Sequence, residues 1–505
     1  MKIIYIKMLT IVVLITTLVS CKKWVDYNPK DDYKITDLEY LKSESDYRAL
    51  GIATYSPLQW LNQIVPIGDI ASDNSVSGGE SASDTRSLQD IDDFTTYPIN
   101  AFITDLWQSA YEGINRVNYM QQYKASNPAG VAINFAGKDA LYGEAYFLRA
   151  YYYFTLVKMY GDVPLFTDRR LTYTDSKTLK RAPKADVYKQ IEADLTSAIS
   201  VLPTTQIDKG RVTKYAAQAL LGKVFLYQNK YDAAAAMLDN VINSNAFTLV
   251  SNFASIFLLS GENGPESVFE IQYSNASATY DWAHTTRGQG NLSVQQCGVR
   301  NLNGSAAMPY SNGWSFNLPT KSLQNAFLAG DQRKDATCFD IAAYALANPS
   351  YNITYQIAPY RNTGLYNQKY QPRKGESSGQ IELNYSNNFR TIRFADVLLM
   401  ASEAYNKAAT PNDAKAQNYL NKVRQRAFSD LLHNVTTNGS MLYDDILNER
   451  RLELAMEGER YFDLIRTGRA AATLGVLGFK AGKHELFPIP QTEIDISGFA
   501  QNPGY

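Results

Sequence analysis

The 505-residue chain is poor in the residues on which catalysis and covalent stapling depend. Its three cysteines, Cys21, Cys297 and Cys338, are too few for a disulfide scaffold. Cys297 and Cys338 are expected as two free buried thiols rather than a pair. The three histidines, His284, His433 and His484, form no His-x-x-x-His or His-Glu-x-x-His spacing, so no zinc site is expected. No Gly-x-Ser-x-Gly elbow or Walker loop is present. Neither sign of charge dominates: 49 basic residues stand against 50 acidic ones, and nucleic acid is not an expected partner. No apolar run reaches the roughly 20 residues of a bilayer span. What is abundant is tyrosine, 36 in all, which suits both the packing of long helices and polar ligand surfaces.

Lys2 and Lys7 precede a short apolar run, Ile11 to Val19, in the arrangement of a secretory signal peptide. The run ends in Leu18-Val19-Ser20-Cys21, which resembles the lipobox of bacterial lipoproteins. That resemblance implies a diacylglycerol on the Cys21 thiol, cleavage before it and acylation of the new amino group, an anchor stronger than one chain provides. Residues 1–20 are then the signal peptide and 21–34 a lipidated polar tether.

From residue 35 to about 245 helical periodicity prevails. Tyr47, Leu50, Thr54, Leu58 and Leu61 recur at three- and four-residue steps, as do Phe102, Leu106, Ala110, Gly113, Val117 and Met120. Trp60 and Trp107 fall within these patterns and are expected in the core. Residues 66 to 98 interrupt them and are expected as a long polar loop. Leu221-Gly222-x-x-Phe225 followed by Tyr231-Asp232-Ala233-Ala234 is close to a tetratricopeptide helix pair. Tyr142-Gly143-x-x-Tyr146 is a weaker relative, and Leu399 to Tyr405 followed by Ala414 to Val423 is a further pair. Small residues such as Gly222 let two helices approach. Residues 246–385 are dense in Gly, Asn, Ser and Tyr, and Val268 to Tyr273 predicts a short strand. The expected architecture is mostly α: a tetratricopeptide-like helix-pair scaffold with an inserted irregular lobe containing short strands, completed by helices over 386–505.

The block Asn448-Glu449-Arg450-Arg451-Leu452-Glu453-Leu454-Ala455-Met456-Glu457-Gly458-Glu459-Arg460-Tyr461-Phe462-Asp463-Leu464-Ile465-Arg466 resembles the signature of the SusD/RagB family. So do Phe487-Pro488-Ile489-Pro490, the ending Gln501-Asn502-Pro503-Gly504-Tyr505, Gly143 to Ala150, and Tyr160-Gly161-Asp162-Val163-Pro164. The likeness covers essentially the whole chain. It implies about four helix pairs and a lipoprotein of the cell outer membrane, facing the exterior. It also implies a SusC-like TonB-dependent transporter as partner, and oligosaccharides or, in one branch, peptides as ligands. Glu459, Tyr461 and Ser497-Gly498 depart from the residues usual there, all in scaffold segments.

Glu449, Glu453 and Glu457, four residues apart, form a carboxylate stripe that looks catalytic. A glycosidase needs two carboxyls of unequal acidity flanking a bond, whereas carboxylates beside Arg450, Arg451, Arg460 and Arg466 should stay ionised and paired. An ion-pair network holding the last helices, and no enzyme, is the expectation; a surface glycosidase and a ligand-free structural partner are the alternatives from other classes. Asp90, Asp92 and Asp93 lack the glycine and terminal glutamate of a calcium loop. A structural calcium ion is left open, and no other cofactor is expected. Glycan binding calls for flat aromatic rings beside groups that read hydroxyls. Two loop regions qualify on composition: Asp73, Asn74 and Arg86 in the first, and Tyr280, Trp282, Tyr310, Asn312 and Trp314 in the lobe. A Cys21→Ala protein is expected to remain unlipidated and to leave the membrane fraction; a variant pelleting with membranes like the wild type would contradict the anchor.

Overall fold

The computed structural model describes residues 39–276, 288–378 and 382–505. Cys21, Tyr280 and Trp282, with the signal and tether segments, lie outside the described residues. The chain divides into two compact units. In the smaller, residues 39–49 and 123–136 are tied by Tyr47, whose hydroxyl donates to the Tyr123 carbonyl at 2.9 Å, and by Asn127, whose amide reaches the Leu41 carbonyl at 3.3 Å.

The larger unit comprises residues 50–122 and 137–505. Two short helices, α1 (Ile64–Ile70) and α2 (Arg86–Asp92), precede a ladder of longer ones. These are α3 (Ala101–Gln122), α4 (Lys138–Tyr160), α5 (Lys184–Val201), α6 (Lys214–Tyr227), α7 (Tyr231–Ile242), α8 (Phe394–Lys407), α9 (Asp413–Phe428) and α10 (Gly439–Glu453), followed by the short α11 (Arg460–Arg466). Each of α3 to α9 packs on the next, and α10 packs on α8 and α9. Because the seam is a helix face, α3 buries Ile103, Leu106, Ala110, Ile114 and Val117 at three- to four-residue intervals. Gly222 is required where α6 meets α7: a Cβ there would lie 2.6 Å from Leu238. The helix-pair scaffold expected from the sequence is what forms.

The tyrosines of α4 explain their own abundance. Their rings fill the core, and their hydroxyls find carbonyls, as a buried hydroxyl must. Tyr142 donates to Met120, Tyr152 to Thr54, Tyr153 to Phe166 and Tyr160 to Ile103, all within 2.9 Å.

Between α7 and α8 the chain forms the irregular lobe. Its strands pair antiparallel in twos, β4 (Ser267–Ile271) with β8 (Phe389–Arg393) and β6 (Cys338–Phe339) with β7 (Tyr366–Asn367), while its β5 (Leu318–Pro319) pairs with β1 (Ser75–Val76) from the segment after α1. The remaining ribbon, β2 (Val163–Pro164) with β3 (Arg181–Ala182), belongs to the scaffold. Val299, Leu302, Met308, Leu318, Phe339, Ile341 and Tyr366 form the lobe's own core. Cys297 and Cys338 are free and buried.

The interval 66–98 departs from expectation. It is not a continuous polar loop, since α1 is buried along its whole length. Pro66 and Gly68 look like breakers, yet Pro66 sits in the first turn, where its missing N–H costs nothing. Gly68 lies so close to the Gly458 carbonyl that a Cβ would come within 2.0 Å of its oxygen. Asp69 accepts from the Gly458 N–H at 2.9 Å and from the Asn317 side chain at 2.8 Å, and burial pushes its carboxyl up to about 7.

The carboxylate stripe is an ion-pair network, but its partners come from distant segments, while Arg450, Arg451, Arg460 and Arg466 pair with other carboxylates. Glu453 meets Arg393, Arg426 and Arg333 at 2.8, 2.5 and 3.1 Å; Glu457 meets Arg393 and Lys369 at 2.7 and 2.6 Å; Glu449 meets Arg333 and Arg424 at 2.6 Å each. Burial pushes the Glu453 carboxyl up, but Arg426, Arg393 and Arg333 outweigh it and hold it well below the usual carboxylate range. Asp463 is held down in the same way by Arg450 and Arg466 against its own burial. Both groups titrate below their unfolded values of about 4. The stability they contribute is therefore present above that pH and is lost as pH falls through the folded values. Glu453→Ala strands three buried cations and should cost about 3–5 kcal/mol, read as a shift of the urea midpoint; a loss under about 1 kcal/mol would contradict this account of the network.

Candidate functional site: a neutral hollow beside Trp60

Trp60, expected in the core, instead stands half-buried in the wall of a hollow of about 460 Å³. Gln59, Gln63, Phe102, Asp105 and Gln108 share that wall, and Ile99, 80 % exposed, stands at its rim. Asp105 is the single ionisable group lining it, so amides and ring faces dominate its chemistry. The wall is held rigidly. The Gln59 amide donates to the Gln272 carbonyl at 2.8 Å, and Gln63 donates to Asn62 at 2.7 Å and accepts from Gln296 at 3.0 Å. The Arg116 guanidinium lies 5.1 Å from the centre of the Trp60 ring and is itself held by Glu112 and the Ala53 carbonyl. Gly290 closes one side, where a Cβ would come within 2.2 Å of the Leu383 carbonyl. A second hollow of about 290 Å³ shares Gln59 and adds Tyr55, Arg211 and Gln289. Such a wall offers a stacking face and both donors and acceptors to a polar neutral ligand.

The lobe residues expected at a site occupy different environments. Trp314 is half-buried; its N–H donates to the Gln295 carbonyl and its own carbonyl accepts from Arg300, both at 2.8 Å. Asn312 is exposed, and its side-chain oxygen accepts the Leu302 N–H at 3.2 Å. Tyr310 packs on Phe339 and Tyr344 with ring centres 5.0 and 5.3 Å away, and its hydroxyl accepts from Gln368 at 2.7 Å. Local packing thus accounts for most of the Tyr310 side chain.

In the first region, Arg86 is exposed and paired with Asp90 at 2.7 Å. Asp73 and Asn74 are engaged by the C-terminal block. Arg460 meets Asp73 at 2.7 Å and Arg451 meets it at 2.9 Å, while the Arg451 Nε donates to Asn74 at 2.8 Å. Burial pushes the Asp73 carboxyl up, but Arg460 and Arg451 win and hold it low. Both are engaged by the scaffold, Asn74 fully buried and Asp73 half-buried. Asp92 and Asp93 are bound by Arg361, so the acidic trio carries its own counter-cations, and no group of His, Cys, Asp or Glu among the described residues is arranged to hold a metal ion.

The two loop regions are nevertheless neighbours. Arg300 bridges Asp84 at 2.8 Å and the Trp314 carbonyl, and the Gly79 N–H donates to the Ser315 carbonyl at 2.9 Å. Gln296 carries this contact on to Gln63, in the wall beside Trp60. Sequence reading missed Trp60 because its helical spacing matches core residues; the run of amides Gln59, Asn62 and Gln63 beside it is the signal that marks a wet wall.

Family models match twice: the SusD family over residues 342–476, and the family described as starch-binding and associating with the outer membrane over residues 52–226. A SusD-like protein of Formosa agariphila is 27 % identical, with 98 % of this chain and 99 % of that protein aligned. Among solved structures, a laminarin-binding SusD-like protein is 34 % identical with a TM-score of 0.82, covering 92 % of this chain and 100 % of that one. Surface glycan-binding protein A from Bacteroides thetaiotaomicron, in complex with laminarihexaose, is 27 % identical with a TM-score of 0.79, covering 91 % and 100 %. The chain belongs to the SusD/RagB family. No described helix is long and apolar enough to cross a membrane.

The wall predicts a measurable asymmetry. Trp60→Ala should quench little stability but weaken binding of a neutral oligosaccharide by about ten-fold or more, since aromatic truncations at binding hot spots cost about 2 kcal/mol. Tyr310→Phe should leave binding within about two-fold, because its hydroxyl serves Gln368.

Proposed function

We propose that the protein is a lipid-anchored component of the outer membrane, held by Cys21, that binds a neutral glycan at the cell surface and passes it to a SusC-like TonB-dependent transporter. The observation that carries the glycan reading is the hollow beside Trp60, whose wall combines an indole face with amides and one carboxylate. Sugars present apolar ring faces and hydroxyls that both donate and accept, and this wall complements both. The laminarin-binding relatives favour a β-glucan as the first ligand to try. Trp314, Asn312 and Arg86, on the neighbouring loops, are proposed to extend the surface along the chain of sugars; Tyr280 and Trp282 belong to the same proposal on composition alone.

The protein is proposed to bind without catalysis. The three carboxylates that suggest a glycosidase are buried and paired with cations. Passage to a transporter rests on family membership, and surface anchoring on the Cys21 motif.

Titration calorimetry of the mature chain against laminarihexaose, cellohexaose and a peptide mixture tests the reading. Saturable binding of at least one neutral glycan, with no reducing ends released on prolonged incubation, is expected. Binding of peptides with no response to any glycan would overturn it, and steady release of reducing ends would establish the glycosidase alternative.

A further inference from the structure

A different hollow, of about 810 Å³, lies elsewhere in the described residues. It lies between the end of α4, the starts of β3 and α5, the end of α6, and α11, with the C-terminal residues Gln501 to Pro503 in its lining. Lys158 and Tyr227 both line it. Among the described residues Lys158 makes no hydrogen bond and no ion pair. Its ammonium lies 4.2 Å from the centre of the Phe462 ring and 5.7 Å from that of Phe154. The Tyr227 hydroxyl is buried and has no hydrogen-bond partner. Its ring stands edge-on to the same Phe154, at 4.9 Å. A cation and a hydroxyl therefore flank one aromatic ring, each without the partner that burial demands.

Lys184 also lines the cavity and is exposed, whereas the two arginines of the wall are occupied. Arg466 is held by Glu403 at 2.6 and 2.7 Å and by Asp463 at 2.8 Å. Arg181 spends its donors on the carbonyls of Asp162, Ala500 and Tyr160 and on Asn502. Asp162 and Glu485 line the same cavity. A doubly charged anion would meet two carboxylates, and Lys158 is the one ammonium of the wall that is shielded from water beside aromatic rings. A singly charged one would meet an ammonium and a hydroxyl donor, the two contacts that a carboxylate's pair of oxygens accepts. Phe462, Tyr188 and Tyr227 supply flat apolar faces, and the volume lies in the range of small-molecule sites.

We propose that this cavity binds a small, ring-bearing monocarboxylate such as a uronic acid, with the Lys158 ammonium and the Tyr227 hydroxyl as its polar contacts. Burial pulls the Lys158 ammonium down to about 8 against the attraction of Glu459, and an anion seated beside it restores the charge. The site is separate from the Trp60 hollow and shares no lining residue with it.

The test is calorimetric titration of the whole mature chain with D-glucuronate, and with D-glucose as the uncharged control, at neutral pH. Glucuronate should bind about ten-fold or more tightly than glucose, the margin a charge-assisted contact provides. Lys158→Met should abolish that margin, and Tyr227→Phe, which removes one oxygen without disturbing the ring, should weaken glucuronate about three-fold or more. Laminarihexaose affinity should stay unchanged in both variants, which separates this site from the glycan site. Equal binding of glucuronate and glucose, or glucuronate affinity unaltered in Lys158→Met or Tyr227→Phe, would overturn the proposal.

Discussion

The buried ion-pair network around Glu453 is the constraint on which the rest of the structure depends. Glu266, Arg393, Arg426, Arg333, Glu449, Glu453, Glu457 and Lys369 are all shielded from water and connected in one run of contacts. Arg450, Asp396, Asp463, Lys223, Glu459, Arg466 and Glu403 form a second run beside it. Compared with apolar residues of the same size, such pairs gain little, but each charge left without its partner is costly. The network therefore acts as a specificity device. It joins β4 and β8, which bound the lobe, to α10 at the end of the scaffold.

From that anchor the two halves of the binding surface are positioned. The turn after α10 brings Gly458 against α1, where Gly68 admits its carbonyl and Asp69 caps its N–H. Asp69 also holds Asn317, beside β5, and so ties the lobe to α1. Arg451 and Arg460 pull Asp73 and Asn74 inward at the same place. The consequence is that the residues just before α1, Gln59 to Gln63, are presented against Gln296 and Gly290 of the lobe with little freedom. A preformed wall of this kind binds without first ordering its side chains, which lowers the entropic cost of association.

Much of the fold was legible in the sequence because helix pairing writes itself in spacing. Gly222 announced the contact of α6 with α7, and the charge density around Glu449, Glu453 and Glu457 announced ion pairing, though the partners, Arg333, Arg393, Arg424, Arg426 and Lys369, lie outside that block. The interval 66–98 was misjudged because Pro66, Gly68 and Asp69 have the composition of a loop. Their burial depends on Gly458, which lies 390 residues away and has no local signature. The site was legible only in part. Trp314 and Asn312 sit among Gly and Ser and are half-buried and exposed, whereas Asp73 and Asn74, of similar composition, are engaged by Arg460 and Arg451. Trp60 carries a core-like spacing and faces a hollow, because the helix Glu44–Gln59 ends one residue before it. Which face a residue turns to solvent is decided by packing between distant segments, and composition does not record it.

The most direct measurement of the central claim is a crystal structure of the mature chain soaked with laminarihexaose. Sugar density in the hollow beside Trp60, with a ring stacked on the indole and hydroxyls within hydrogen-bonding reach of Gln63 or Gln108, is the predicted result. An empty hollow with the oligosaccharide bound elsewhere on the surface would contradict it.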